Sequence, residues 1–473
     1  MKDLSMQMLV EANLALARKD STLWGEDATR VASERLGWID LPERSRGLLP
    51  ALDALSAWSR SLWRSRFVLS GMGGSSLAPE VIAATFGEEL ILLDSTHPDD
   101  VRTALEPDPS ETLFVISSKS GETIETLSHL KAIIERLERV DLKPPDHLIV
   151  ISDPGSPLSI WAQEMKIRHF IGDATVGGRF SALSIFGLLP ATLLGVDCAT
   201  LLDDAVDMKN MLSQSDGENR AIELTREILQ SGPFLHLPDS PLSYWIEQLI
   251  AESTGKEGRG VIPVISPEAR ALPSVRQAET LPLGAAFFLW EWCTALLGCA
   301  LGVNPFDQPN VASAKAATQV ALKDDATLSN DVSRTGGEVM EWIEKSAPGH
   351  GYLALLCYLP MRNPQIRDLA ENLRHNIARK LGRAGAEVTL GFGPRYLHST
   401  GQCHKGGPPT GCFVIMTLED EVDYLIPDAS YSFGKLIHAQ ALGDFYTLKH
   451  IGRPVIHAHL TRDELALLVD LSA

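Results

Sequence analysis

Cysteine is scarce in this chain: six residues in 473 (Cys198, Cys293, Cys299, Cys357, Cys403 and Cys412), none of them in a C-x-x-C pair. A disulfide scaffold is thereby excluded. Positive charge is also short, since 42 Lys and Arg face 61 Asp and Glu and leave a formal net charge of −19. So acidic a chain is ill suited to a nucleic-acid backbone, which needs clustered cations. A few cations or backbone N–H groups still suffice for a small anion. Long apolar runs are nearly missing. The exception, Leu281 to Val303, carries Glu291 in its middle and no basic flank follows it, so a buried helix is expected there and not a membrane span. The first twenty residues lack the pattern of a signal peptide. These absences point to a reduced, cytoplasmic protein with neither membrane nor nucleic acid as partner.

What is present is an ordinary globular composition, 44% hydrophobic and 22% charged, and length for two to four domains. From about residue 66, short apolar runs alternate with helix-like segments. The runs are FVLSG (67–71), LILLD (90–94), TLFVISS (112–118), HLIVISD (147–153) and RHFIG (168–172). Such alternation predicts an α/β fold with a parallel sheet flanked by helices. A helical arm over 1–44, a first domain over 45–205 and a second α/β domain over 206–473 are expected. The clearest later strands are YLALLCYL (352–359), EVTLGF (387–392) and CFVIMTL (412–418), with the helix PQIRDLAENLRHNIARKLG between the first two.

Three strand-to-helix turns carry the chemistry. GMGGSSL (71–77) places Gly74 and Ser75 where a backbone can approach a ligand, although the dinucleotide fingerprint fails at Ser76. SSKSGETIET (117–126) gathers Ser118, Lys119, Ser120 and Thr123 ahead of an amphipathic helix. One helix cap needs one hydroxyl, so the cluster reads as a phosphate cradle, while the missing Walker motif gives no reason to expect a nucleotide. VGGRFS (176–181) adds Gly178 and Arg179. Ligands gather at the carboxyl ends of strands in open α/β sheets, so the three turns are expected to share one crevice.

Further along, IEQLIAESTGKEGRG (246–260) sets Gln248 and Glu252 four apart on one helix face. Ser253 and Lys256 match S-x-x-K, but the companion motifs of that chemistry are missing. NPFDQPNVASAK (304–315) carries Gln308 and Lys315, and RYLHSTGQCHKGG (395–407) carries His398 and His404. Cys403, His404 and Cys412 fit no zinc spacing, so no metal is expected. His457 and His459 alternate with apolar residues and read as ordinary strand-edge histidines.

In their order along residues 20 to 460, these motifs resemble the phosphoglucose isomerase family, which is built from two sugar-isomerase (SIS) domains. STGQCHKGGPPTG and HIGRPVIHAHL are most similar to the isomerase half of bifunctional transaldolase/glucose-6-phosphate isomerases. The resemblance implies the interconversion of glucose 6-phosphate and fructose 6-phosphate through a cis-enediolate, without metal or organic cofactor, in a homodimer. It implies Glu252 as the base, Arg179 as the cation for the enediolate, and Lys315 as an aid to ring opening. Gly74, Ser75, Ser118, Lys119, Ser120, Thr123, Gly178, Gln248 and Gln308 fall on substrate and phosphate contacts. Two departures stand out. The family usually has threonine at the Ser120 position and a bulkier residue at Gly121. Its ring-opening histidine lies between the base and N-P-F-D-Q, where this chain has none; the nearest likeness is His404, with His398 second. An isomerase of another sugar phosphate, such as mannose 6-phosphate, and a non-catalytic SIS regulator are the alternatives. The second has no need of Glu252, Arg179 and Lys315 together.

Overall fold

The structure, a computed structural model, describes residues 6–64, 66–214, 219–323, 334–349, 351–382, 385–419 and 422–473. The chain divides into two compact units. The first comprises residues up to Leu93 and Pro107–Asp307, the second Asp94–Glu106 and Gln308–Ala473.

In the first unit, β1 (Arg66–Gly71), β2 (Ile91–Leu93), β3 (Thr112–Ser117), β4 (Leu148–Ser152) and β5 (Arg168–Ile171) form a sheet ordered β2-β1-β3-β4-β5. Every pairing is parallel, with Leu69 beside Val115 and Ile116 beside Val150. Every residue of β3 and β4 is buried, as parallel strands covered on both faces require. At the edge β5 is partly exposed, and the Arg168 guanidinium lies 4.1 Å from the centre of the Trp58 ring. The order reverses between β1 and β3, which makes their carboxyl ends a switch point of the kind where ligands gather in open α/β sheets.

The boundary expected at 205/206 is not where the units divide. Helices Cys198–Leu212, Arg220–Ser231, Pro241–Thr254 and Leu283–Leu301 all belong to the first unit, together with a parallel pair β6 (Phe234–Leu237) and β7 (Ile262–Ile265). Close packing explains the difference: a Cβ at Gly284 would collide with the carbonyl of Leu201, so the two long helices cross in backbone contact. The N-terminal arm is helical, and it docks through Trp24 Nε1, which donates to the Ala295 carbonyl at 3.0 Å, and Asn13, which accepts from Trp292 Nε1 at 2.7 Å.

Leu283–Leu301 is long and apolar enough to cross a membrane by length and composition, and it lies buried within the first unit. Glu291 at its centre is fully buried, and among the described residues neither carboxylate oxygen has a hydrogen-bond partner. Burial pushes its pKa well above the ordinary value, so the group is held protonated. With its folded pKa above the unfolded one, its contribution is fully present below about pH 4.3 and is lost as pH rises toward the folded value. Glu291→Met should therefore stabilise the protein by about 1–3 kcal/mol, with the gain over wild type larger at about pH 8 than at about pH 5. Denaturant midpoints at the two pH values check this; a variant less stable at both would contradict it.

The second unit has a parallel sheet ordered β11-β10-β8-β9, from β8 (Tyr352–Tyr358), β9 (Glu387–Phe392), β10 (Gly411–Leu418) and β11 (Val455–Leu460). Val414 stands between Leu355 and Ile456. Helices Gly336–Ser346, Pro364–Leu381, Phe433–His450 and Arg462–Ser472 accompany it. His457 and His459 lie on the edge strand and both meet the Thr417 hydroxyl, at 3.1 and 3.0 Å. Asp94–Glu106, which falls in sequence between β2 and β3, packs in this unit. The Asp100 carboxylate accepts the N–H groups of Met361 and Arg362 at 3.2 and 2.9 Å, in the turn between β8 and the helix Pro364–Leu381.

Candidate active site

The three glycine- and hydroxyl-rich turns of the first unit come together. A Cβ at Gly74 would collide with the Gly178 carbonyl, which puts the turn after β1 against the VGGRFS turn. A Cβ at Gly71 would lie 3.0 Å from the carbonyl of Ser117, at the end of β3. Small residues are thus required here by close approach of backbones. Ser75 is buried at this junction.

After β3 the chain turns through Gly121 at φ +68°, where a side chain would also press on Ser156 and the Leu158 amide. The positive φ and the close neighbours together require glycine here. The Thr123 hydroxyl makes no cap bond to its helix Ile124–Glu138 and sits 3.0 Å from the Ser118 hydroxyl. Two hydroxyls therefore face each other ahead of a helix N-terminus, an arrangement a plain cap would not need. Ser120 accepts the Glu122 N–H at 3.3 Å. Lys119 is committed elsewhere: its ammonium meets the Asp153 carboxylate at 2.5 Å and the Asp173 carbonyl at 3.0 Å, and burial lowers its pKa.

Glu252 lies in the last turn of the helix Pro241–Thr254. Its Oε1 is 3.0 Å from Arg179 Nη1, and both side chains are almost wholly buried, 7% and 2% exposed. Oε2 accepts from the Gln248 amide at 3.2 Å, the consequence of four-residue spacing on one helix face. Arg179 also donates from Nε to the Ser253 hydroxyl at 2.7 Å and from Nη2 to the carbonyls of Pro305 and Asp307 at 2.5 and 3.1 Å. A buried carboxylate held by a guanidinium and an amide is a base with its cation already in place.

Comparison with known proteins bears on this arrangement. Over 244 residues the chain is 33% identical to a glucose-6-phosphate isomerase of Thermus thermophilus, covering 47% of this chain and 56% of that one. Over 252 residues it is 33% identical to a glucose-6-phosphate isomerase of Carboxydothermus hydrogenoformans, covering 47% and 53%. The chain is related to the glucose-6-phosphate isomerases. It spans about half the length of the curated relatives it matches. The crystal structure of a glucose-6-phosphate isomerase from Chlamydia trachomatis shares the fold, with a TM-score of 0.50 at 18% identity over 65% of this chain and 77% of that chain. No family model matches the chain.

The remaining residues expected from the isomerase resemblance belong to the second unit. Gln308 opens it and is exposed. Lys315 falls in the helix Val311–Lys323, and its side chain lies outside the described residues. His404 sits in the short helix Gly401–Gly406, buried among the rings of Phe413, Tyr396 and Tyr352 at centroid distances of 5.3, 5.9 and 6.3 Å. Burial first, then the charges of Lys405 and Arg453, push its pKa down to about 3, so the imidazole is neutral near pH 7. His398 is half-buried in the turn Arg395–His398. Gln402 of the same segment pairs with Asn310, accepting its N–H at 3.1 Å and donating to its side chain at 2.8 Å.

Ser253 and Lys256, which in sequence show only a discounted S-x-x-K match, and Asp307, which no motif singles out, also meet the Arg179–Glu252 pair or its surroundings. Lys256 is 2% exposed, and its ammonium donates to the Asn304 carbonyl, and to the Asp307 carbonyl and carboxylate at 2.7 Å each. The signal was its place four residues after Glu252 in E-S-T-G-K.

Proposed function

We propose that this chain interconverts glucose 6-phosphate and fructose 6-phosphate, and that the Arg179–Glu252 pair carries the reaction. The observation behind this reading is that pair, buried at 3.0 Å and set in the same unit as the hydroxyl-lined turn. Glu252 takes the proton from C2 of the open-chain aldose and returns it to C1. Arg179 stabilises the enediolate charge that develops between the two transfers. The substrate phosphate lies on Ser118, Ser120 and Thr123 and the N–H groups of the following helix, with Lys119 bracing the turn through Asp153. Gly74, Ser75 and Gly178 form the floor that lets the sugar approach the backbone, and Gln248 and Gln308 contact its hydroxyls. No step calls for a metal or an organic cofactor. The six cysteines, all unpaired, support a reducing cytoplasmic setting, and a homodimer follows from the resemblance.

Ring opening is assigned to His404 acting as a neutral imidazole, aided by Lys315. A neutral ring still relays a proton by donating from one nitrogen while accepting at the other. His404→Ala should slow turnover of ring-closed glucose 6-phosphate about 10²-fold and leave proton exchange on open-chain substrate much less affected. Equal damage to both, with the damage moved to His398→Ala, would transfer the role. The function itself is tested by supplying purified protein with fructose 6-phosphate, unphosphorylated fructose and mannose 6-phosphate, and detecting glucose 6-phosphate through a coupled dehydrogenase. Product is expected from fructose 6-phosphate alone. Fructose 6-phosphate formed from mannose 6-phosphate, read by adding a separate glucose-6-phosphate isomerase to the coupling mixture, with no product from fructose 6-phosphate in its absence, would favour the other sugar-phosphate isomerase. No product in either format would favour a sugar-phosphate-binding regulator.

A further inference from the structure

The segment Asn304–Asp307 is gripped by two buried cations at once. Arg179 Nη2 holds the carbonyls of Pro305 and Asp307. Lys256 Nζ holds the carbonyls of Asn304 and Asp307 and the Asp307 carboxylate. The Asp307 carbonyl is therefore a shared acceptor, at 3.1 Å from Arg179 and 2.7 Å from Lys256. While Nη2 holds these carbonyls, Nη1 of the same guanidinium meets Glu252 and Nε donates to the Ser253 hydroxyl. Its aim at Glu252 is thus only as firm as the segment behind it.

We infer that Lys256 is a positioning residue of the isomerisation site, fastening Asn304–Asp307 so that Arg179 is held on Glu252. This inference rests on the isomerase reading above. Lys256 does not touch the reacting atoms; it acts through the carbonyls and through Arg179. Its charge matters to the grip, since an ammonium offers three donors and an ion pair to Asp307, whereas a neutral amine offers fewer donors and no ion pair.

The same surroundings make that charge titratable. Burial first, then the charge of Arg179, lower the Lys256 pKa to about 7, against the opposing effect of Asp307 and Glu252. Among the described residues these are the charged groups that act on it. The protonated form is the one that grips, so turnover should fall as pH rises through about 7.

The test is a set of pH–rate profiles in the coupled assay for wild type, Lys256→Met, Lys256→Arg and Asp307→Asn. Lys256→Met should lower kcat at least about tenfold with KM within about threefold, because the loss falls on the reacting geometry and not on substrate binding. Lys256→Arg keeps its charge at all working pH, so the alkaline limb should move to higher pH. Asp307→Asn removes a group that supports the ammonium, so its limb should move to lower pH. A merely structural lysine would lower activity without moving the limb in opposite directions. If the arginine does not fit the buried site, the partly exposed Asp307→Asn decides alone. A limb that stays in place in Asp307→Asn, in an otherwise active enzyme, overturns the inference and leaves the isomerase reading intact. Absence of isomerase activity in wild type overturns the reading, and this inference with it.

Discussion

Glu252→Gln should abolish isomerisation while sugar phosphates still bind. The amide nearly matches the carboxylate in shape, so contacts with Gln248 and the helix end are kept. It cannot accept the C2 proton, and it no longer pairs as an anion with Arg179, 3.0 Å away. The loss should be at least about 10²–10⁴-fold in kcat, the range general-base catalysis commands. Steady-state kinetics of the variant, with binding of a sugar phosphate followed by calorimetry, separates the two effects. Turnover near wild type would remove Glu252 from the mechanism. Loss of binding without change in kcat would make it a binding group instead.

Replacing both Ser118 and Thr123 by Ala should weaken all sugar phosphates alike. The two hydroxyls sit 3.0 Å apart and share their surroundings, so only the double variant empties the position. Each donates to a charged acceptor worth about 1.5–3 kcal/mol, so affinity should drop by about 10²–10⁴-fold, and inorganic phosphate should lose its competition with substrate. If phosphate competes equally well against wild type and variant, the phosphate lies elsewhere.

How much of this was legible in sequence follows from the range of each signal. The apolar runs at 112–118 and 147–153 announce β3 and β4 to within a residue, because strands covered on both faces must be apolar throughout. The glycine and hydroxyl clusters after β1 and β3 point to a crevice because local turn chemistry demands small residues there. Gln248 and Glu252 share a face by helical spacing alone. Nothing local reveals that helices after residue 198 join the first unit, since the backbone contact between Gly284 and Leu201 spans distant parts of the chain. The packing of Asp94–Glu106 in the second unit is equally silent in sequence, as it depends on the Asp100 carboxylate receiving two N–H groups far along the chain. Lys256 reads as a surface lysine by composition, and only its three acceptors explain why it is buried. The ring enclosure of His404 likewise assembles Tyr352, Tyr396 and Phe413 from three separate elements.

The central claim is proton transfer by Glu252 between C2 and C1, and solvent exchange tests it most directly. The purified protein would be incubated with glucose 6-phosphate in D2O for many turnovers, and deuterium at C2 of the aldose and C1 of the ketose read by proton NMR. An enediolate formed by a carboxylate base exposes the migrating proton to solvent at each turnover. Deuterium should enter steadily at both carbons in wild type and at neither in Glu252→Gln. Rapid isomerisation with no deuterium entering either carbon would mean a direct hydride shift and would contradict the claim.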